Sequence, residues 1–431
     1  MVDPVVLPRS EHTLSRRDID DDALKVLHRL HSEGFVAYLV GGSVRDLLLG
    51  RRPKDFDIGT SAHPYQVKRL FRNCWIIGRR FRLAHVKFGP KTIEVATFRR
   101  QVPLGAAEPA EPLSPEQDVD SLEPSAEPRP IERDNEFGTP EEDAFRRDCT
   151  VNALFYDIGT LSIIDYTGGL DDLRGHVLRC IGDPEVRFTE DPVRMLRALV
   201  LAARLGFRVD DESLETIERR AALITRAAPA RLLEEYYKIL RSGSARECFD
   251  HLADSGLLEH MSPELMNDEG QLTEAFEAVD VYRRRHDSAP DTLTNAILAG
   301  TLLVPLGLLR RRTLRDADDV VREAPTQLGV MQVARRDVDR LRQILGLQRR
   351  LLDITAPERA QRALLSRPAF RETLTWLEIH GRRPDVIAHW RAVMDAHQPV
   401  LAEAEAAELA DMDAAKRHRR RPRRRRPFTR T

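Results

Sequence analysis

The chain has 431 residues, of which 42% are hydrophobic and 32% are charged. This length exceeds one ordinary core, so we expect a soluble protein with two to four domains or subdomains. The 68 Lys and Arg residues nearly balance the 69 Asp and Glu residues, which excludes a uniformly basic or acidic protein. Positive charge is nevertheless concentrated in one segment, KRHRRRPRRRR at 416–426.

Cysteine spacing and hydropathy exclude two further classes of protein. The four cysteines are Cys74, Cys149, Cys180 and Cys248. They form no C-x-x-C pair, so we expect neither a disulfide framework nor a structural zinc site, and a cytoplasmic location fits. The beginning of the chain does not have the pattern of a signal peptide. The apolar run at 296–309 contains Pro305 and predicts a buried helix rather than a membrane span.

The first third of the chain predicts mixed α and β structure. FVAYLVGG at 35–42 is a short apolar run that ends in paired glycines, and SVRDLLLG then has helical spacing closed by Gly50. This order predicts a strand, a tight turn and a helix. A second strand is expected after Pro53. The sequence of residues 85–100 predicts a hairpin around Gly89 and Pro90.

The rest of the chain predicts a disordered insertion followed by helices. Residues 101–128 are rich in Ala, Pro, Ser and acidic residues and contain no Lys or Arg, which indicates a disordered segment. Beyond it we expect a helix, short strands and a TGG turn. From about Thr189 onward, helical periodicity dominates. The predicted fold class is α+β.

The triplet D-F-D contains the first candidate site. On a strand, Asp55 and Asp57 would project from one face while Phe56 packs behind them. Two carboxylates so placed repel each other unless a cation lies between them, and nucleotidyl transfer with two metal ions needs such ligands. The alternative is a solvated acidic turn after Pro53.

The glycine turn before this triplet is a candidate phosphate site. Gly41, Gly42 and Ser43 lie between a predicted strand and a predicted helix, whose free amides can receive a triphosphate. Ser43 could donate to the phosphates or simply be the N-cap, and Arg45 could reach the same anion or face solvent. A phosphate turn followed about twelve residues later by D-x-D is more specific than either part. Together they favour metal-dependent phosphate chemistry.

The stretch GGSVRDLLLGRRPKDFDIGT resembles the opening motif of the class II nucleotidyltransferases, the family of tRNA CCA-adding enzymes and bacterial poly(A) polymerases. The resemblance extends over about residues 20–260. It implies the following organisation: a nucleotidyltransferase head of DNA polymerase beta-like fold at 20–180 with the insertion at 101–128, a helical neck for base recognition at 181–230, a helical body for RNA binding at 231–405, and a basic disordered tail at 406–431.

A second motif, RRDCTVNAL at 146–154, resembles a family motif that lies at the nucleotide's sugar and phosphates. The resemblance implies that Arg147 binds the nucleotide and that Asp148 completes the catalytic carboxylate set. Glu94, on the strand TIEVATF, is the second candidate for that third carboxylate. Without the resemblance, Arg-Arg-Asp would be interpreted as an exposed, salt-bridged turn.

A third motif, EDPVRMLRA at 190–198, resembles the family's base-reading motif. Asp191, Arg194 and Arg197 recur every three residues, so they lie along one side of a helix. Adenine and cytosine each present an amine beside a ring nitrogen, which an acceptor from Asp191 and a donor from Arg194 would match. Arg197 would support them. The alternative for Asp191 is a helix cap before Pro192.

Two features favour poly(A) addition over CCA addition. IIGRRFRLAHV at 76–86 resembles a segment of gammaproteobacterial poly(A) polymerases, although a solvated basic loop would have the same composition. The tail would bind RNA phosphates without reading sequence. We therefore expect AMP transfer from ATP to RNA 3′ ends, with Mg²⁺ held by Asp55 and Asp57. The alternatives are a CCA-adding tRNA nucleotidyltransferase and a catalytically silent RNA-binding protein.

Overall fold

A computed structural model describes residues 3–78, 82–100, 136–266, 270–286, 292–309 and 326–397. The chain forms two compact units, Met1–Arg220 and Ala221–Thr431. The predicted insertion at 101–128 and the predicted tail at 406–431 lie outside the described residues, as do Arg79 and Arg80. The division into head, neck and body stays a prediction.

One mixed sheet forms the framework of the first unit. Its strands are β1 (Val5–Leu7), β2 (Ala37–Val40), β3 (Asp57–Thr60), β4 (Cys74–Ile77), β5 (Leu83–Phe88), β6 (Lys91–Thr97), β7 (Leu154–Asp157) and β8 (Ser162–Asp165). The strands are arranged in the order β1-β8-β7-β2-β3-β6-β5-β4. Only β3 and β6 are parallel neighbours, and the other neighbours are antiparallel.

Helices and two short strands complete the first unit. They are α1 (Asp21–Ser32), α2 (Gly42–Leu48), α3 (Pro64–Leu70), α4 (Pro140–Phe145), α5 (Gly169–Arg174), α6 (Pro184–Glu190), α7 (Val193–Leu205), α8 (Asp211–Arg220), β9 (Val177–Leu178) and β10 (Arg208–Val209). The Asp20 carboxylate accepts the amides of Asp22 and Ala23 and so caps α1. The buried side of α1 contains Val26 and Leu30 and packs on β2 and β3. The predicted α+β class is confirmed.

The predicted hairpin is confirmed by the pairing of β5 with β6. Phe88 pairs with Lys91, so Gly89 and Pro90 form a two-residue turn, and Gly89 has a φ of +59°. Along β6, Ile93 and Val95 are buried while Glu94 between them is partly exposed. This alternation separates a covered face of the sheet from a more open one.

The second unit is helical. Its helices and short strands are α9 (Pro229–Leu240), α10 (Ala245–Asp254), α11 (Leu257–Met261), α12 (Gln271–Arg285), α13 (Asn295–Leu303), β11 (Gln327–Leu328), β12 (Met331–Gln332), α14 (Arg335–Leu352), α15 (Glu358–Leu365), α16 (Phe370–His380) and α17 (Pro384–Ala396). Every residue of α13 after Asn295 is buried, which confirms the helix predicted within 296–309. No helix in the described part of the chain is long and apolar enough to cross a membrane.

The described residues also include short 3-10 turns and free thiols. The 3-10 turns are Arg9–Glu11, Arg16–Asp18, Thr150–Asn152, Ala221–Arg226 and Pro263–Met266. Cys74, Cys149, Cys180 and Cys248 are all free and buried.

Candidate active site

The glycine turn has a backbone shape that other residues adopt only with strain. Gly41 precedes α2 with a φ of +72°, and a Cβ added to it would lie 2.9 Å from Nη1 of Arg147. Ser43 is not the N-cap, because Gly41 occupies that place without a side-chain cap. The Ser43 hydroxyl donates instead to the carbonyl of Val40 at 2.9 Å. A phosphate at this turn would therefore meet backbone amides rather than the hydroxyl proton.

Asp57 lies beside this turn, at the start of β3. It pairs with Val40, the last residue of β2. On its other side, the pairing of Ile58 with Val95 places Asp57 level with Glu94 of β6. The expectation that Asp55 shares the strand with Asp57 is wrong, since β3 begins only at Asp57. Asp55 therefore approaches the site from the preceding loop.

Three carboxyl groups influence one another at this point of the sheet. Protein atoms displace water from the Asp57 carboxyl, and the negative charges of Glu94 and Asp55 add to this effect. Together they raise the pKa of Asp57 from 3.8 to about 6, against the opposing charge of Arg147. Asp57 is exposed as a residue, although protein atoms lie close enough to its carboxyl to displace water from it. A bound cation would stabilise such a cluster, because it offsets the repulsion between the negative charges.

The cluster fits an Mg²⁺ ion that is shared with a substrate. Within the described ranges, no three His, Cys, Asp or Glu side chains form a complete metal cage. Mg²⁺ commonly binds through one or two carboxylates together with water and substrate phosphates, so a complete cage is not required. Asp55 and Asp57 offer two hard oxygen ligands of that kind. Their role as metal ligands stays a prediction.

Two arginines lie against the turn and share one partner. Arg45 is 6% exposed, and it donates to the side-chain oxygen of Asn152 and to Asp46 Oδ1 at 2.8 Å. The alternative in which Arg45 faces solvent is therefore wrong. Arg147 donates to the Asn152 carbonyl at 3.0 Å and to Asp143 Oδ2 at 2.9 Å. Asn152 thus connects Arg45, which follows the glycine turn, to Arg147 of the second motif.

Asp148 lies in a different electrostatic setting from Asp57. Its Oδ1 accepts from Arg194 Nε at 3.0 Å, and its Oδ2 accepts from Arg197 Nη1 at 3.4 Å. Arg194 also donates to Glu190 Oε2 at 2.9 Å. The structure thus brings Asp148 together with the predicted base-reading arginines. The largest like-charge effects on Asp57 come from Glu94 and Asp55 instead.

Asp191 lies at the start of the helix that contains these arginines. Its Oδ1 accepts the amide of Val193 at 3.2 Å. Pro192 is the residue immediately before α7, one position later than the cap considered from the sequence. Arg194 follows Asp191 by three residues, so both side chains belong to the same end of α7.

Arg187 was not among the site residues predicted from the sequence. This residue is 5% exposed, and its Nη2 donates to the carbonyls of Arg146 and Arg147, both at 2.8 Å. Its Nη1 donates to Glu190 Oε2 at 3.3 Å. Arg187 therefore holds the backbone of the second motif against α6. In PEVRFTE, nothing distinguishes a buried arginine from a solvated one, because its partners are about forty residues away in sequence.

Three family models match the chain. They are described as the Poly A polymerase head domain at 37–179, the probable RNA and SrmB-binding site of polymerase A at 206–268, and the polymerase A arginine-rich C-terminus at 312–426. The first match contains the glycine turn, the carboxylate cluster and the second motif. The glycine turn and the carboxylate cluster thus lie in the part of the chain that is similar to the head domain, whereas Asp191, Arg194 and Arg197 lie between the first and second matches.

Individual proteins agree with these matches. A Poly(A) polymerase I of Salmonella typhi is 37% identical over 98% of this chain and 92% of its own length. One of Escherichia coli O6:H1 is 48% identical over 60% of this chain and 53% of its own length. The solved Bacillus stearothermophilus CCA-adding enzyme in complex with CTP has a TM-score of 0.58 at 25% identity, covering 87% of this chain and 82% of that one. The chain therefore belongs to the family of bacterial poly(A) polymerases and tRNA CCA-adding enzymes and is an RNA nucleotidyltransferase.

Proposed function

We propose that the chain is a poly(A) polymerase, which adds AMP from ATP to RNA 3′ ends and releases pyrophosphate. The observation that carries this proposal is the cluster of Asp55, Asp57 and Glu94 beside the Gly41 turn, where carboxylates and free amides can meet one triphosphate. Poly(A) addition is favoured over CCA addition because relatives aligned over 98% of the chain are named Poly(A) polymerase I.

The triphosphate would lie at the glycine turn. The amides of Gly42 and Ser43 would donate to its oxygens, while Arg45 and Arg147 supply positive charge from either side. Asp55 and Asp57 would hold Mg²⁺. The ion, when bound, would activate the RNA 3′ hydroxyl and stabilise charge on the leaving pyrophosphate.

We assign the third carboxylate of the catalytic set to Glu94 and a positioning role to Asp148. Glu94 lies level with Asp57 on the neighbouring strand and raises its pKa. Asp148 accepts from Arg194 and Arg197, so it would orient these two arginines beside the adenine. Asp191 and Arg194 would then read the adenine edge, with Arg197 supporting them.

Most of the RNA upstream of its 3′ end would be bound by the chain from residue 206 onward. The matched regions described as an RNA-binding site of polymerase A and as its arginine-rich C-terminus support this proposal. The predicted tail at 406–431 would hold RNA phosphates in a salt-dependent way. Four free thiols fit a reducing compartment, so we place the reaction in the cytoplasm.

A primer-extension assay tests this proposal. An unstructured RNA and a tRNA that lacks its CCA end are each incubated with Mg²⁺ and with ATP, CTP or both. We expect long ladders on the unstructured RNA with ATP alone. The variant Asp55→Ala should give no ladder while RNA affinity is retained, because it removes a proposed metal ligand but no basic residue.

CCA addition is the competing activity, since a similar solved structure is a CCA-adding enzyme. Growth only on the tRNA, ending after C, C and A, would replace poly(A) addition with that activity. Full extension by Asp55→Ala would contradict the assignment of the metal ligands. Absence of extension on both RNAs, with RNA still bound, would favour a silent RNA-binding protein.

A further inference from the structure

A row of side chains crosses the sheet from the carboxylate cluster to its edge. Glu94 lies level with Asp57, His85 pairs directly with Glu94, and Trp75 pairs directly with His85. Residues opposite each other on neighbouring strands project from the same face. Trp75 therefore lies on the same face as the catalytic carboxylates, at the end of a continuous row.

This half of the face is open, whereas its reverse side is covered. On the reverse side, Ala84, Val86 and Ile93 are all buried. On the open side, Trp75 is 52% exposed and Lys87 is exposed. The alternation continues through three neighbouring strands, β4, β5 and β6, so it is a property of the face and not of one residue.

Trp75 is unusual among the tryptophans of this chain. The sequence contains three, and the other two, Trp376 and Trp390, are 4% and 0% exposed. The Nζ of Lys87 lies 5.3 Å from the centre of a Trp75 ring. An exposed aromatic ring beside a flexible cation is the combination with which proteins bind single-stranded nucleic acid, one base stacked and one phosphate neutralised.

The position of the row fits the RNA rather than the ATP. The proposed triphosphate site, formed by the Gly41 turn and Arg147, lies on the β2 side of Asp57. In an in-line displacement the attacking 3′ hydroxyl must approach opposite the leaving pyrophosphate. The RNA end would then arrive from the β6 side. Two strand spacings of about 4.8 Å separate Glu94 from Trp75, so the ring lies about 10 Å along the row.

We infer that the surface formed by Trp75, His85 and Lys87, here called the sheet-edge track, binds the last nucleotides of the RNA before its 3′ end. One base stacks on Trp75, and an adjacent phosphate lies at Lys87. His85, with its Nε2 3.5 Å from Glu94 Oε2, connects the track to the carboxylates. This inference rests on the proposed RNA 3′ end addition and adds where the acceptor strand lies.

Tryptophan fluorescence tests the sheet-edge track directly. The full chain is titrated with unstructured oligoadenylate without ATP or Mg²⁺, at two salt concentrations, because tail contacts weaken with salt. Since the other two tryptophans are buried, RNA stacked on Trp75 should quench the emission, and Trp75→Phe should abolish the quench. With labelled RNA, Trp75→Ala should raise the dissociation constant about 5- to 100-fold, and Trp75→Phe much less, because a phenyl ring still stacks.

Kinetics provide the second measurement. Trp75→Ala and Lys87→Ala should raise KM for RNA and leave KM for ATP and the turnover at saturating RNA unchanged. Val6→Ala, on the opposite edge strand and also in an exposed position, is the matched control and should change none of these values. Thermal unfolding of each variant verifies that it is folded.

Three outcomes would overturn the inference. Unchanged RNA affinity in a folded Trp75→Ala would mean that the face serves another partner, such as a protein. A rise in KM for ATP alone would assign the track to the nucleotide site. RNA binding without a quench in the unaltered chain would place the RNA elsewhere. None of these outcomes requires poly(A) addition to fail, and the binding measurements do not need catalysis, so the two proposals fail separately.

Discussion

Two groups of charges in the first unit are organised in opposite ways. In the carboxylate cluster, burial and then the charges of Glu94 and Asp55 raise the pKa of Asp57, and the opposing charge of Arg147 does not cancel this rise. In the Asp148 network, each carboxylate already has an arginine, as the bonds from Arg194 to Asp148 and to Glu190 illustrate. One group is short of positive charge, and the other is balanced.

This difference in charge balance indicates that the two groups have different roles. Unbalanced carboxylates in an accessible position gain most when a cation arrives, so they suit metal-dependent chemistry. A balanced network gains nothing comparable from a metal, but it holds side chains and backbone in one arrangement. We therefore expect substitutions in the cluster to affect catalysis, and substitutions in the network to affect stability or nucleotide binding.

The largest expected effect is the loss of activity in Asp57→Asn. Removing a proposed metal ligand should lower AMP addition by at least about 1,000-fold. The thermal midpoint at pH 7 should not fall, because a repelled negative charge is removed. Asp171→Asn, at an exposed position in α5, is the control and should retain activity. Activity within tenfold of the unaltered chain would contradict the assignment.

Arg187→Met should instead lower stability. The substitution leaves the carbonyls of Arg146 and Arg147 without their buried donor, which we expect to cost about 2 kcal/mol in the free energy of unfolding. Denaturant unfolding measures this loss, with the exposed Arg174→Met as control. Equal unfolding curves for the two variants would show that the buried contacts carry no stability.

Asp148→Asn should weaken ATP binding. Loss of the charge leaves Arg194 and Arg197 less well oriented, so KM for ATP should rise about 10- to 30-fold. Because Asp148 is proposed to position these arginines, discrimination between ATP and GTP should fall as well. A drop in turnover with KM for ATP unchanged would instead make Asp148 the third catalytic carboxylate.

The smallest expected effect concerns pH. Asp57, whose pKa is raised to about 6, must lose its proton to bind a cation. Mg²⁺ affinity should therefore fall as the pH drops through 6 and be about tenfold weaker at pH 5 than at pH 7. Calorimetric titration in the presence of a non-hydrolysable ATP analogue measures the Mg²⁺ affinity at each pH. In Asp57→Asn the Mg²⁺ affinity should depend less on pH. An affinity that is constant from pH 7 to pH 5 would contradict this prediction.

Local features of the fold were predictable because their determinants are close in sequence. The strand, turn and helix around Gly41 and the hairpin at Gly89 follow from residue alternation and from glycine's access to positive φ. The motifs at 41–60, 146–154 and 190–198 were enough to identify the family. Their residues are the candidates from which the site is built.

The sequence by itself thus determined the fold class, the family and the residue types available for phosphate and base recognition. Only the tertiary structure decided their partners: Glu94 beside Asp57, Asp148 with Arg194, and Trp75 in line with the carboxylates. The reason is physical. Local conformation depends on neighbouring residues, whereas strand register and partly buried ion pairs join residues that are far apart in sequence. A shift of one residue in register would turn each strand side chain to the other face of the sheet.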